Sequence, residues 1–244
     1  MGLVRQLAAL LFIVALPVAL VTTNVRIIAN EPRLYQYATD HYHTTETTGI
    51  PRSELLRASG ELRSYFNNDA DTIFVRVTND QGEPESLFNS RETAHLRDVK
   101  TVFQGSFRVQ EVAVVFVLAY VVAVFIWARE HSLQALAREV LIAAAVSAVA
   151  VGLLGAFALA GFDAAFERFH LLFFTNDLWQ LDPATDHLIQ MFPEDFWRDV
   201  TLWVGVGTLA ELGLLAAAAG AYLGITRDSI DDSYVLPEGV QPAG

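Results

Sequence analysis

VLIAAAVSAVAVGLLGAFALAGF, residues 140–162, runs through 23 positions without one charged side chain. In hydrocarbon the backbone must satisfy its own polar groups, and an α-helix does so within one segment. About 20 residues at 1.5 Å each cross the apolar core of a bilayer. The stretch therefore reads as a membrane-spanning helix. Working outward from it, three more segments meet the same test: 1–29, apolar from Leu7 to Ala29 behind Arg5; 112–128; and 200–224. The first also fits a cleaved signal peptide, with its basic start and small residue at Ala29. A retained anchor is the preferred reading, because the apolar run is long and other spans follow it.

The bulk composition agrees. Of the 244 residues, 53% are hydrophobic and mean hydropathy is +0.35, high for a soluble chain of this size. Sixteen basic against 28 acidic residues leave a net charge of −12, which argues against nucleic acid as a partner. With no cysteine the chain has no disulfide, thiolate metal site or thiol nucleophile.

The expected architecture is an α-helical integral membrane protein. Four transmembrane helices carry a small mixed α/β extracellular domain, 30–111, between the first and second. A cytoplasmic loop, 129–139, an outer connector, 163–199, and a cytoplasmic tail, 225–244, complete it. Arg5, Arg129, Arg138 and Arg227 mark the inner side by the positive-inside rule. This N-in, C-in topology puts 30–111 and 163–199 on the same outer face.

Within 30–111, Pro51 to Phe66 predicts a helix with Leu55, Leu56, Leu62, Tyr65 and Phe66 on its apolar side. DTIFVRV (71–77) followed by NDQGEP predicts a strand and hairpin. Ser90 is the expected cap of a helix leading into the second span. On it Arg97, Lys100, Gln104 and Arg108 share a face, suited to lipid phosphates or to plain solvation. In the other connector, Phe162, Phe166, Phe169 and Phe173 recur at helical spacing, so the third helix is expected to continue past its apolar run. Asp182-Pro183 predicts a short helix through Leu188 and Ile189, and Pro193-Glu194-Asp195 the start of the fourth span. Trp179, Trp197 and Trp203 suit the headgroup level, where amphipathic rings settle. The tail RDSIDDSYVLPEGVQPAG (227–244) is expected to be poorly ordered.

Among six histidines, His41 and His43 lie in an expected polar loop, HYHTTETTG, His131 in the inner turn and His187 on the short outer helix. His95 and His170 differ, because each is near a membrane boundary and has a carboxylate close by: Asp98 for His95, Asp177 for His170. A carboxylate fixes a histidine tautomer and stabilises its charged form. The bland alternative is two satisfied histidines at helix ends. Glu211, deep in the fourth span, is either a structural hydrogen-bonding group or part of a polar cavity. Arg26 either snorkels or points toward a substrate carbonyl or phosphate.

The pairing of HLRDVK (95–100) with FHLLFFTNDLWQLDPATDHLIQMFPEDFW (169–197) resembles the four-span Lit-type lipoprotein intramolecular transacylases. The anchor, domain and three-span layout is similar too, as is an arginine, Arg26, soon after the first span. The resemblance implies a diacylglyceryl-modified lipoprotein as substrate and membrane lipids as surroundings. The sn-2 acyl chain would move to the α-amine of the N-terminal cysteine. His95 and His170 would be catalytic acid and base in either order, with Asp98 and Asp177 orienting them. Arg26 or Asn176 would meet the oxyanion. No metal or other cofactor is expected. Two alternatives stay open: a metal-dependent membrane hydrolase using His95, His170 and Asp177 or Asp182, and a non-enzymatic lipid-binding protein.

Overall fold

The computed structural model describes residues 2–126 and 130–233. Its elements, in order, are α1 Gly2–Asn30, α2 Pro32–His41, α3 Thr44–Thr48, α4 Arg52–Phe66, β1 Arg76–Thr78, β2 Pro84–Ser86, α5 Ser90–Ile126, α6 Glu130–Ala160, α7 Phe162–Phe173, α8 His187–Met191 and α9 Glu194–Ser233. Four helices are long and apolar enough to cross a membrane: α1, α5, α6 and α9. In α5 the apolar stretch, from Val112 on, follows about 20 more polar residues, among which His95 sits. The protein is thus a helical, multi-pass membrane protein.

Packing explains which faces are which. α1 lies along α5, α6 lies along α9, and α1 also meets α6 and α9. Phe12, Leu16, Ala143 and Leu212 are buried where these helices meet. Val14, Val115, Leu118, Val149, Leu153 and Leu214 instead point outward, more than half exposed, as lipid-facing side chains do. One polar knot interrupts this bundle: the Asn24 amide donates to Thr208 Oγ1 at 3.2 Å and to Glu211 Oε2 at 2.9 Å. Glu211 is therefore a hydrogen-bonding partner between α1 and α9, the structural option of its two readings.

The segment between α1 and α5 builds a second core. Leu34, Ala38, Leu55, Leu62, Val75, Val77, Leu87 and Leu96 close over one another, and Leu188, Met191, Phe192 and Phe196 from the other connector join them. α4 ends at Phe66 as predicted and starts one residue later, at Arg52. The hairpin is shorter than expected: β1 has three residues and pairs antiparallel with β2, Val77 opposite Glu85. Residues 71–75 stay outside the ladder, although Ile73 and Val75 are buried in the core.

Several expectations are corrected. HYHTTETTG is mostly helical rather than loop: His41 ends α2, and α3 occupies 44–48, with His43 left-handed between them. The cap of α5 is Asn89, not Ser90. Its Oδ1 accepts from the N–H groups of Arg91 and Glu92, while Glu92 Oε2 accepts from the Asn89 N–H at 2.7 Å. That reciprocal pair is a capping box. On the face carrying Arg97, Lys100 and Gln104, all three side chains bond the protein itself, although Arg97 stays exposed. Lys100 is buried, donates to Ala70 O at 2.6 Å and lies over the Tyr65 ring, while Arg97 and Gln104 bond the main chain of Asp71 and Asn68.

α6 starts at Glu130, so most of the expected 129–139 loop is helix, as its Ala, Leu, Gln, Arg and Glu content favours. The third helix does not run on through the phenylalanine stripe. It ends at Ala160, and α7 begins anew after an extended Gly161. Asp182 shapes a turn, its Oδ1 accepting from the Ala184 N–H, and α8 starts four residues later behind Asp186. The front of the expected tail, to Ser233, is helical. Arg129, the rest of the tail and the side chains of His131 and Arg227 lie outside the described residues.

Candidate active site

Two helices bring the histidines together. His95 sits in the second turn of α5 and His170 in the last turn of α7; both are buried. Their ring centroids are 6.0 Å apart and the planes are tilted by 34°. Aromatic rings wall them in. Phe174 meets His95 edge-on at 5.1 Å, Phe166 lies 4.2 Å from His170, and Trp179 stacks on His170 at 4.8 Å.

The start of α5 is sewn to the second connector, and this sets where His95 stands. Glu92 is 1% exposed; its Oε1 accepts from the Leu188 N–H at 2.6 Å, at the first turn of α8. Asn89 donates to Asp186 Oδ1 at 2.9 Å, and Asp186 Oδ2 accepts from the Asp182 N–H at 2.7 Å. Burial pushes the Glu92 carboxyl above the ordinary carboxylate range, although the N–H groups of Asn89 and Leu188 oppose that shift.

The electrostatics of the pair favour neutral rings. Burial, and next the neighbouring His170, pull His95 down to about 4, against the weaker opposing effect of Asp98. Burial also lowers His170, partly offset by its bond to Phe166. That bond fixes a tautomer. His170 Nδ1 is 2.7 Å from Phe166 O, and a carbonyl only accepts. Nδ1 therefore carries the hydrogen, and Nε2 keeps its lone pair. Among the described residues the His95 ring has no hydrogen-bond partner, and its Nδ1 is buried.

The sequence-derived supporting residues have other hydrogen-bond partners than the histidines. Asp98 does not bond His95. It accepts from the Asn176 amide at 2.9 Å, which ties the 174–186 loop to α5. One of the two N–H groups of the Asn176 amide is thereby engaged. Asp177 makes no side-chain hydrogen bond to His170, whose Nδ1 is taken by its own helix; its main-chain carbonyl accepts from Arg91. Arg26 is removed from the pair. It bonds Gln110 and Glu111, each at 2.9 Å, and lies over Phe107, 12 to 16 residues further along α5 than His95. At 1.5 Å per residue that is roughly 18–24 Å.

His41 stacks on Tyr37, exposed His43 lies 4.0 Å from Glu46, and His187 bonds Gln190, all apart from the pair. Among the described residues no three His, Asp or Glu side chains cluster as a metal site, so the ligand set that a metal hydrolase reading needs is not assembled. Trp179, Phe174 and Glu92 are the site residues that sequence reasoning missed. Asn89-x-x-Glu92 has the spacing of a capping box and was the available signal for Glu92. The rings had a competing explanation as membrane anchors.

The profile of the family "Lipoprotein intramolecular transacylase Lit" matches residues 10–197, about three-quarters of the chain and the whole of this site. The chain belongs to the Lit family. Its function is accordingly lipoprotein intramolecular transacylation, and the protein is an acyltransferase. An uncharacterized protein of Aquifex aeolicus (strain VF5) is 25% identical over 205 residues, spanning 83% of this chain and 88% of that protein. Among solved structures, the Lit protein of Bacillus cereus superposes with a TM-score of 0.72 at 17% identity, over 93% of this chain and 99% of that one. A variant of that protein with one histidine replaced by alanine gives 0.71, again over 93% of this chain. At this identity the likeness concerns the fold, and Lit membership rests on the profile.

Proposed function

We propose that this Lit-family enzyme moves the sn-2 acyl chain of a diacylglyceryl group to the α-amine of the lipoprotein's N-terminal cysteine, at the outer leaflet. The observation that carries this reading is the buried pair His95 and His170, 6.0 Å apart and both drawn toward neutrality. An α-amine has a pKa of about 8 and loses its proton near neutral pH, so a neutral histidine is a suitable acceptor. The amine lone pair attacks the ester carbonyl carbon, and the carbonyl pair moves to oxygen. The nitrogen gives its proton to a histidine. The oxyanion then collapses, the glycerol C–O bond breaks, and the histidine returns the proton to the leaving oxygen. No enzyme nucleophile is needed, in keeping with a chain that has no cysteine.

The lock on His170 Nδ1 favours His170 as base through Nε2, with His95 beside it as the second proton-handling group. Amine and ester belong to one molecule, so orientation supplies much of the rate. Access is supported by α7, where Phe169, Leu171, Leu172 and Phe173 expose apolar surface next to His170. An acyl chain can reach the pair from that side.

The test is mass spectrometry of lipoprotein N-termini from a host expressing the enzyme. Transfer leaves the total mass unchanged but creates an amide-linked acyl chain. His95→Ala and His170→Ala should each lose roughly 10²–10⁴ in rate. The double variant should lose little more than either single one, because groups acting as a unit are not additive. Full activity in the double variant would reject histidine chemistry. An unmodified amine in wild-type lipoproteins would reject the reaction.

A further inference from the structure

A transacylase must meet the negative charge that develops on the ester oxygen, and donors aimed at that oxygen are among the largest contributors to catalysis. The sequence-derived donors already have partners: Asn176 donates to Asp98, and Arg26 bonds Gln110 and Glu111, well along α5 from the histidines. Among the described residues, two buried side-chain nitrogens lack any partner, His95 Nδ1 and Trp179 Nε1. Both belong to the histidine site. An indole nitrogen can only donate. A buried donor without an acceptor is rare in folded proteins and calls for an explanation.

We propose that the Trp179 indole N–H is the oxyanion donor of the transacylation, an inference that rests on the reaction proposed above. The ring stacks on His170 at 4.8 Å with 29° between the planes, which sets the indole beside the base. The carrying loop is fixed at several points. Asn176 holds Asp98, Arg91 holds the Asp177 carbonyl, the Leu178 N–H bonds Asn176 Oδ1 at 3.1 Å, and the Leu181 N–H bonds Trp179 O at 2.9 Å. A donor held this way needs no reorganisation when charge appears. During the step the amine–carbon bond forms, the carbonyl pair settles on oxygen, and Trp179 donates to that oxygen without releasing its proton. When the carbonyl re-forms and the glycerol oxygen departs, the hydrogen bond weakens again. The donor thus binds the tetrahedral species more strongly than the ester.

The experiment is steady-state kinetics of the purified full-length enzyme on a diacylglyceryl lipopeptide. Trp179→Phe keeps an aromatic ring and removes the N–H. It should lower kcat roughly 10²–10³-fold, the range typical of losing one oxyanion donor, while KM changes little. Benzothienylalanine at position 179, which replaces N–H by sulfur at nearly the indole shape, should lose as much. This second replacement decides the matter if the Phe variant does not fold. Trp179→Phe with kcat near wild type would overturn the inference. So would a loss in the Phe variant that benzothienylalanine restores, since ring shape would then be what matters. Wild-type enzyme that yields no amide-linked product would instead defeat the proposed reaction, and this inference with it.

Discussion

His170 Nδ1 faces a carbonyl, and His95 Nδ1 faces no partner at all. That difference governs how pH should act. Burial lowers both histidines from their ordinary 6.5, His95 to about 4. Neither ring should therefore set the acid limb of activity near 6.5. The limb should follow the substrate amine, with an ionisation near 8. A kcat/KM profile showing a second ionisation near 6.5 would contradict this. Stability follows the same shifts. A histidine that is harder to protonate folded than unfolded contributes fully above about pH 6.5, and the contribution is lost as pH falls toward 4. Thermal unfolding in detergent should show this acid loss in wild type and less of it in His95→Phe. The pairing of the two rings was legible from the chain: His95 and His170 stood out by boundary position and nearby acids. Their true partners did not, because Phe166 O, Phe174 and Trp179 meet the rings only through the folded turn, and no local spacing encodes a stack.

At the level of elements, α5 depends on its first turn. Glu92 accepts from its own helix start and from α8, so one carboxylate joins both motif-bearing segments. Glu92→Ala leaves two N–H groups unsatisfied and should destabilise the protein by about 2–4 kcal/mol, read as a fall in apparent Tm. Glu92→Gln keeps one acceptor oxygen and should lose less. Ser90→Ala should be nearly silent, since Asn89 is the cap. The spans were readable because an apolar run of about 20 residues needs no tertiary context. The element ends were harder. Asp182-Pro183 and Asp186 offer equal local signals for a helix start, and only the bond from Asn89 to Asp186 separates them. The stripe on α7 was correctly periodic, but periodicity does not report a break at Gly161.

At the scale of the whole molecule, the Asn24–Thr208–Glu211 knot joins two spans by polar groups inside apolar surroundings. Glu211→Gln retains an acceptor and should keep stability and transacylation. Glu211→Leu leaves the Asn24 amide short of one partner and should cost about 1–2 kcal/mol, seen as earlier thermal aggregation. The proposed orientation has a direct check, made simple by the missing native cysteines. A cysteine introduced at position 180 should react with an impermeant reagent from outside, and one at 235 only after permeabilisation. Labelling of position 180 only from inside would place the histidines on the wrong side of the membrane. The tie between His170 Nδ1 and its own helix has one more consequence. With His170 as the proposed base and no relay through His95, a proton arriving from nitrogen departs toward oxygen through the atom by which it came. Both substrate atoms must then visit one point in turn. A diacylglyceryl lipopeptide too stiff to swing its glycerol oxygen into the place its amine has just left would enter the site, surrender its proton, and take it back.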